Sequence, residues 1–261
     1  MQRFKLTLEY DGTDFFGWQV QTRTGERTVQ GTLQAALAKL PGQHAGLRAA
    51  GRTDAGVHAL AMVAHVDSDT PLSAPQLQRA LNAHLPPDVR VLGLEPVPST
   101  FEAQYSCQWR YYRYRLRLAR DDLAGTVLER RRVLHLFQDV DAEVMQRAAP
   151  LFEGSRDFAA LATQETRNTE RTVYRCRLGR SGRDLTLHIA ADGFLRGMVR
   201  ATLGTLLRVG SGKLSPADIP AILESKDRRR AGENVPPHGL YFVSAGYTPW
   251  TSETAAGLEL D

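Results

Sequence analysis

Cysteine is nearly absent from this chain of 261 residues: Cys107 and Cys176 are its only thiols. Two isolated cysteines cannot supply a four-ligand zinc site alone, and they do not look like the framework of a disulfide-stapled domain. Long apolar runs are missing too. No stretch approaches the roughly 18 residues of a membrane-spanning helix. The opening Met1-Gln2-Arg3-Phe4-Lys5-Leu6 lacks the apolar centre of a secretory signal. The expectation is a cytoplasmic protein. Several catalytic signatures are also wanting. There is no GxxxxGKS/T phosphate loop, no glycine-rich dinucleotide fingerprint behind a strand, and no GxSxG context around Ser155, Ser181 or Ser211. The histidines at 44, 58, 65, 84, 135, 188 and 238 never take HExxH spacing, which speaks against a zinc hydrolase.

Lysine is the other shortage. Of 33 basic residues only Lys5, Lys39, Lys213 and Lys226 are lysine, and the rest are arginine. Against 29 acids the formal net charge is a mild +4. Arginine makes planar, bidentate bonds to phosphate and stacks on bases. The codon usage of a GC-rich genome would give the same excess, and the many alanines fit it. Distribution says more than the total. Residues 106–134 hold Arg110, Arg113, Arg115, Arg117, Arg120, Arg130, Arg131 and Arg132 against Asp121, Asp122 and Glu129. Residues 167–183 hold six arginines against Glu170, and Lys226-Asp227-Arg228-Arg229-Arg230 follows. Clustered arginine is the footprint of a phosphate-binding surface; the plainer alternative is a set of solvated strand faces.

What is present is an ordinary soluble composition, 42% apolar and 24% charged, at a length that fits one large domain or two compact ones. Phe4 to Tyr10 alternates as a half-buried strand. Thr28 caps a helix carrying Val29, Leu33, Ala36, Leu37 and Leu40, which Pro41-Gly42 stops. Residues 60–67 read as a strand, 75–84 as a helix behind Ser73, and Val89 to Val97 as a strand. Residues 107–118 give a long strand with Tyr112, Tyr114, Leu116 and Leu118 on one face and Arg113, Arg115 and Arg117 on the other. A helix at 141–149 follows, then strands near 171–178 and 185–191. Phe194 to Arg208 reads as a helix, Pro216 as the first turn of a short one, and Tyr241 to Tyr247 as the last strand. This order predicts an α+β fold in two related halves. They would form a mixed, mainly antiparallel sheet with helices packed on one side and an active-site cleft between the halves. The N-terminal half would be 1–105, the C-terminal half 106–249, and 250–261 a disordered tail.

The densest polar constellation is Gly51-Arg52-Thr53-Asp54-Ala55-Gly56-Val57-His58-Ala59. Glycine admits backbone conformations that other residues avoid, and a neighbouring guanidinium favours an ionised carboxylate. A positioned aspartate acts as a base or a nucleophile. The plain reading is a loop in which Asp54 and Arg52 merely pair, with His58 as scaffold. Further on, Trp109-Arg110-Tyr111-Tyr112-Arg113-Tyr114-Arg115 interleaves aromatics with arginine. Such mixing suits base stacking with phosphate contact, and equally suits a strand with a core face.

GRTDAGVHA at 51–59 resembles the signature of the tRNA pseudouridine synthase A family. YDGTDFFGWQVQ at 10–21, TVQGTLQAAL at 28–37, RYYRYR at 110–115, FLRGMVRATLGTLLRVGSGK at 194–213 and PPHGLYF at 236–242 resemble its other segments, in order. The likeness runs from about residue 4 to 247. It implies isomerisation of uridine to pseudouridine at positions 38, 39 and 40 of tRNA, by a homodimer that uses no metal and no cofactor. By the same resemblance Asp54 falls on the catalytic nucleophile, Tyr112 on the active-site tyrosine that binds substrate, and Arg52 and Arg200 on supporting arginines. Arg110 stands where the family more often has lysine, and 120–134 has no assigned role.

The chemistry this implies is a broken glycosidic bond, a turned base and a new bond from base carbon 5 to ribose. An aspartate can attack ribose C1′ or base C6, or remove a ribose proton, and the residues do not choose among these. Arg52 or Arg200 would keep Asp54 ionised, while Tyr112 would stack on the displaced base or serve in proton removal from carbon 5. An RNA-binding module without turnover, and a synthase of another RNA, are the competing readings.

Overall fold

Alternating side chains at the start of the chain bury Phe4, Leu6, Leu8 and Tyr10 and leave Lys5, Thr7 and Glu9 outward or half-covered, which makes the first strand. The computed structural model describes residues 1–21, 25–163, 168–251 and 253–254. Its elements are β1 (Gln2–Tyr10), α1 (Val29–Leu37), β2 (His44–Ala49), β3 (His58–Ser68), α2 (Ala74–His84), β4 (Val89–Val97), β5 (Trp109–Leu118), β6 (Leu134–Leu136), α3 (Ala142–Ala148), β7 (Gly154–Asp157), β8 (Glu170–Ser181), β9 (Asp184–Ala191), α4 (Met198–Gly210), α5 (Asp218–Ser225) and β10 (Leu240–Gly246). They form an α+β fold divided into two compact units. One holds Met1–Gln108 with Tyr241–Thr248; the other holds Trp109–Leu240 with the residues from Pro249.

In the first unit β1 lies antiparallel between β3 and β4, with Leu6 opposite Ala64 on one side and Leu94 on the other. β2 adds antiparallel to β3, and β10 returns parallel to it through Tyr241 opposite His58. Thr28 accepts from Gly31 N–H at 3.2 Å and so caps α1, a bond worth about 1 kcal/mol. Gln76 closes back on the Ser73 N–H at the start of α2. The two helices touch, and α2 packs on β4. Leu6, Leu8, Leu33, Met62, Leu77 and Leu81 have no exposed surface and form the core. Each contributes roughly 1.5–3 kcal/mol on burial.

In the second unit β9 lies antiparallel between β5 and β8, β7 pairs with β8, and β6 runs parallel to β5. The face of Tyr112, Tyr114 and Leu116 is buried with Leu185, Leu187 and Ile189, while Arg113, Arg115 and Arg117 are half-buried on the other face. Each unit is thus a mixed, mainly antiparallel sheet with helices.

Several expectations change: α5 begins at Asp218, two residues after Pro216, and β6 and β7 are short strands that the sequence did not predict. The late helix begins at Met198 and not at Phe194, because Gly197 adopts a left-handed φ of 75° that stops helical hydrogen bonding from running further back. Residues 44–49, unassigned in the sequence, form β2; its irregular pairing around Gly46, φ 67°, hides the two-residue period. Of the expected tail, residues 252 and 255–261 lie outside the described residues. Trp250 stacks on Tyr174 with ring centres 5.6 Å apart.

Candidate active site

The Asp54 loop is held by backbone contact with the segment after β1. Thr53 is buried, and its hydroxyl lies 2.8 Å from the Tyr10 hydroxyl. Its carbonyl accepts from Trp18 N–H at 3.1 Å, Gly56 N–H donates to Phe15 O at 3.2 Å, and Val57 N–H closes a turn on Asp54 O at 3.2 Å. Anchors therefore stand on both sides of Asp54. Two glycines permit the approach. A Cβ on Gly12 would lie 2.0 Å from Val57 O, and one on Gly17, whose φ is +81°, would lie 2.5 Å from Thr53 O. The Asp54 side chain is half-buried on this fixed loop, and Arg52 is exposed two residues before it. His58 is scaffold: it is buried, lies 3.0 Å from Gly12 N, and stacks on Tyr241 at 4.8 Å.

The other two predicted residues belong to the second unit. Tyr112 sits on the buried face of β5 and meets Phe194 edge-on at 5.0 Å. Arg200 lies in the first turn of α4 and is half-buried. Its Nε donates to Val235 O at 2.6 Å, and Val235 N–H returns to Arg200 O at 3.4 Å. The chain at 232–236 presses against α4 because neither partner has a side chain at the contact. A Cβ on Gly204 would lie 1.9 Å from Glu233 O, and one on Gly232 would lie 2.1 Å from the Gly204 carbonyl carbon. Tyr114 adds a second tie, its hydroxyl donating to Pro236 O at 2.6 Å. Burial pushes the Tyr114 phenol far above its ordinary pKa, with the Arg200 charge pulling the other way, so it stays a donor. Sequence reading missed Val235, Pro236 and the glycine pair. A backbone carbonyl leaves no residue-type signal, and only the glycines at 204 and 232 hint at close approach.

The three arginine clusters all fall in the second unit, and part of their charge is spent internally. Arg117 is bound by Asp184 and Glu129, Arg177 by Glu153, Arg183 by Asp122 at 2.5 Å, and Lys226 by Asp157 at 2.8 Å. Across the outer face of the strands, Arg113 stands opposite His188 and His188 opposite Arg177. The Tyr111 hydroxyl binds His188 Nδ1. No helix among the described residues is long and apolar enough to cross a membrane.

Comparison with known proteins sets the chain among the isomerases that rearrange a base within RNA. A family profile described as tRNA pseudouridine synthase matches residues 7–106 and 148–248. Curated relatives named tRNA pseudouridine synthase A match over nearly their whole length. The one from Thermus thermophilus is 45% identical over 251 residues, covering 95% of this chain and 97% of the relative. That from Caldicellulosiruptor bescii is 39% identical, covering 95% and 100%, and that from Azorhizobium caulinodans 40%, covering 98% of each. The chain belongs to the tRNA pseudouridine synthase family, and its activity is that of an isomerase acting on tRNA.

Proposed function

We propose that the protein converts uridine to pseudouridine at positions 38, 39 and 40, in the anticodon stem and loop of tRNA, with Asp54 as nucleophile. The anchored Asp54 loop carries this reading. A carboxylate carried on a loop fixed by backbone contacts on both sides enters the reaction with little reorganisation of its backbone. The conversion breaks the bond from N1 to C1′, joins C5 to C1′, releases the C5 proton and leaves a proton on N1. Atoms and electrons balance within the nucleotide, so no redox partner is required. Arg52, on the same loop, is exposed and meets phosphate. Tyr112 offers a fixed aromatic surface for the displaced base. Arg200 is the supporting cation, its plane set by Val235.

The target nucleotide must leave its stack, at a cost of a few kcal/mol. Arginine contacts to the tRNA backbone offset that cost, and Arg113 with its cross-strand neighbour His188 suits such contact. We place the enzyme in the cytoplasm with its substrate, as a homodimer without bound metal.

Tritium release from tRNA labelled at uridine carbon 5 tests the reading. Wild type should release label without added metal or nucleotide. Asp54→Ala and Asp54→Asn should bind tRNA yet release none. Release by Asp54→Ala at the wild-type rate would overturn the nucleophile assignment. A tRNA whose uridines lie only at 38–40 tests the position, and modification elsewhere in a complete tRNA would sink it.

A further inference from the structure

Since Arg200 donates from Nε to Val235 O, whatever holds residues 232–236 along α4 also holds the plane of the Arg200 guanidinium. The glycine contact between 204 and 232 brings the two segments together, and Gly232 N–H donates there to Thr205 Oγ1 at 2.9 Å, which ties the start of the segment to α4. Three polar side chains add a restraint at Asn234, next to Val235 itself. Arg228 donates through Nη1 to Gly232 O at 2.7 Å and through Nη2 to Asn234 Oδ1 at 3.0 Å. Arginine has only donors, so the amide oxygen of Asn234 must face it and the amide nitrogen must face away. That nitrogen donates to Thr163 Oγ1 at 3.0 Å. Thr163 N–H is tied in turn to Arg196 O at 2.8 Å, just before the glycine that opens α4. The left-handed Gly197 leaves room for the pair: a Cβ there would lie 2.7 Å from Asn234 Nδ2 and 2.8 Å from Thr163 Oγ1.

Packing alone would not call for this chemistry. An apolar side chain at 234 would fill the same space beside α4 without orienting anything. A run from a donor-only group, through an amide with one allowed orientation, to a hydroxyl at the helix start instead fixes direction. We infer that Asn234, clamped between Arg228 and Thr163, is a positioning residue for Arg200. It sets where Val235 O stands along α4, and so the direction in which the Arg200 guanidinium is presented. The inference rests on the reading of Arg200 as the supporting cation of the reaction.

The test compares variants in the intact enzyme acting on tRNA. Misplacing a reacting group by about 1 Å costs on the order of a hundredfold in rate. Asn234→Ala should therefore lower kcat by roughly ten- to a hundredfold with KM for tRNA little changed. Thr163→Val, which keeps the shape and removes the hydroxyl, should do the same more weakly, and Thr163→Ser should restore the rate. In an Arg200→Lys background, which lacks the Nε donor, Asn234→Ala should cost nothing further. An independent readout is the Arg200 Nε–H signal in protein carrying nitrogen-15 arginine, assigned by its absence from Arg200→Lys. It should shift and exchange faster with water in Asn234→Ala and Thr163→Val. The inference is overturned if Asn234→Ala loses the same factor in both backgrounds, or if the Nε–H signal does not move. Wild type that forms no pseudouridine would refute the proposed function instead, and the Nε–H signal would still decide whether Asn234 positions Arg200.

Discussion

A buried histidine whose ring nitrogen must stay unprotonated makes the first unit sensitive to acid. His65 is 1% exposed, and its Nδ1 accepts from Ala103 N–H at 3.1 Å. Burial is the main cause of its lowered pKa; Glu102, whose carboxylate lies 3.6 Å from Nε2, pulls the other way but not enough. The unfolded chain therefore takes up a proton at a higher pH than the folded one. Stability is complete above about pH 6.5 and falls as the pH drops below that value. His65→Asn, which keeps an acceptor for Ala103 and cannot titrate, should flatten the fall in unfolding free energy between about pH 6.5 and pH 5. Urea unfolding at several pH values checks it, and an unchanged slope would count against His65. A second loss belongs to Asp157. Burial works against its charge, but bonds from Lys226, Thr169 and Ala159 N–H outweigh burial and hold its pKa down to about 2. Its contribution is present above about pH 4 and disappears toward pH 2, so it survives in His65→Asn.

Between elements, the tightest joint is α4 against the chain at 232–236. Gly204→Ala would drive a methyl group onto Glu233 O, a backbone atom that cannot rotate away. Overpacking of this kind costs about 1–3 kcal/mol. The melting temperature should fall by several degrees, and kcat should fall with it because Val235 O moves away from Arg200. A variant with wild-type melting and turnover would show that the segment yields freely. This joint also marks where the sequence stops being readable. Strands such as β1 and β5 and capped helices such as α1 and α2 are legible because period and capping residues are local properties. β2 is not, because Gly46 breaks its alternation. The apolar stripe predicts the start of α4 too early because Phe194 and Leu195 continue it, and only φ at Gly197 ends it. In the candidate site, the letters around Asp54, Tyr112 and Arg200 stand out. What holds them does not: Thr53 O, Val235 O and Pro236 O are backbone atoms that any residue carries, and only the glycines at 204 and 232 hint at the close approach that admits them.

For the molecule as a whole, the arginine excess divides into charge used within the protein and charge presented to tRNA. Phosphate contacts release counterions, so each contact adds about 0.7–0.9 to the slope of log affinity against log salt concentration. Arginines committed to carboxylates add less than their number suggests. Arg117, gripped by Asp184 and Glu129, has a pKa driven upward, first by its hydrogen bonds to Asp184, and acts as a brace between β5, β9 and the 120–134 segment. Arg113, two residues earlier on the same face, would be Arg117's neighbour on β5 but stands opposite His188. The two should therefore respond differently to the same substitution. Arg113→Gln should weaken tRNA binding and lower the salt slope by about one contact. Arg117→Gln should lower the melting temperature and leave the salt slope nearly as it was. Filter binding across a salt series, with thermal melts of the same proteins, separates the cases. Equal salt slopes in both variants would mean that Arg113 does not meet the tRNA backbone. The arginine excess on that face would then be compositional, as the codon usage of a GC-rich genome would produce.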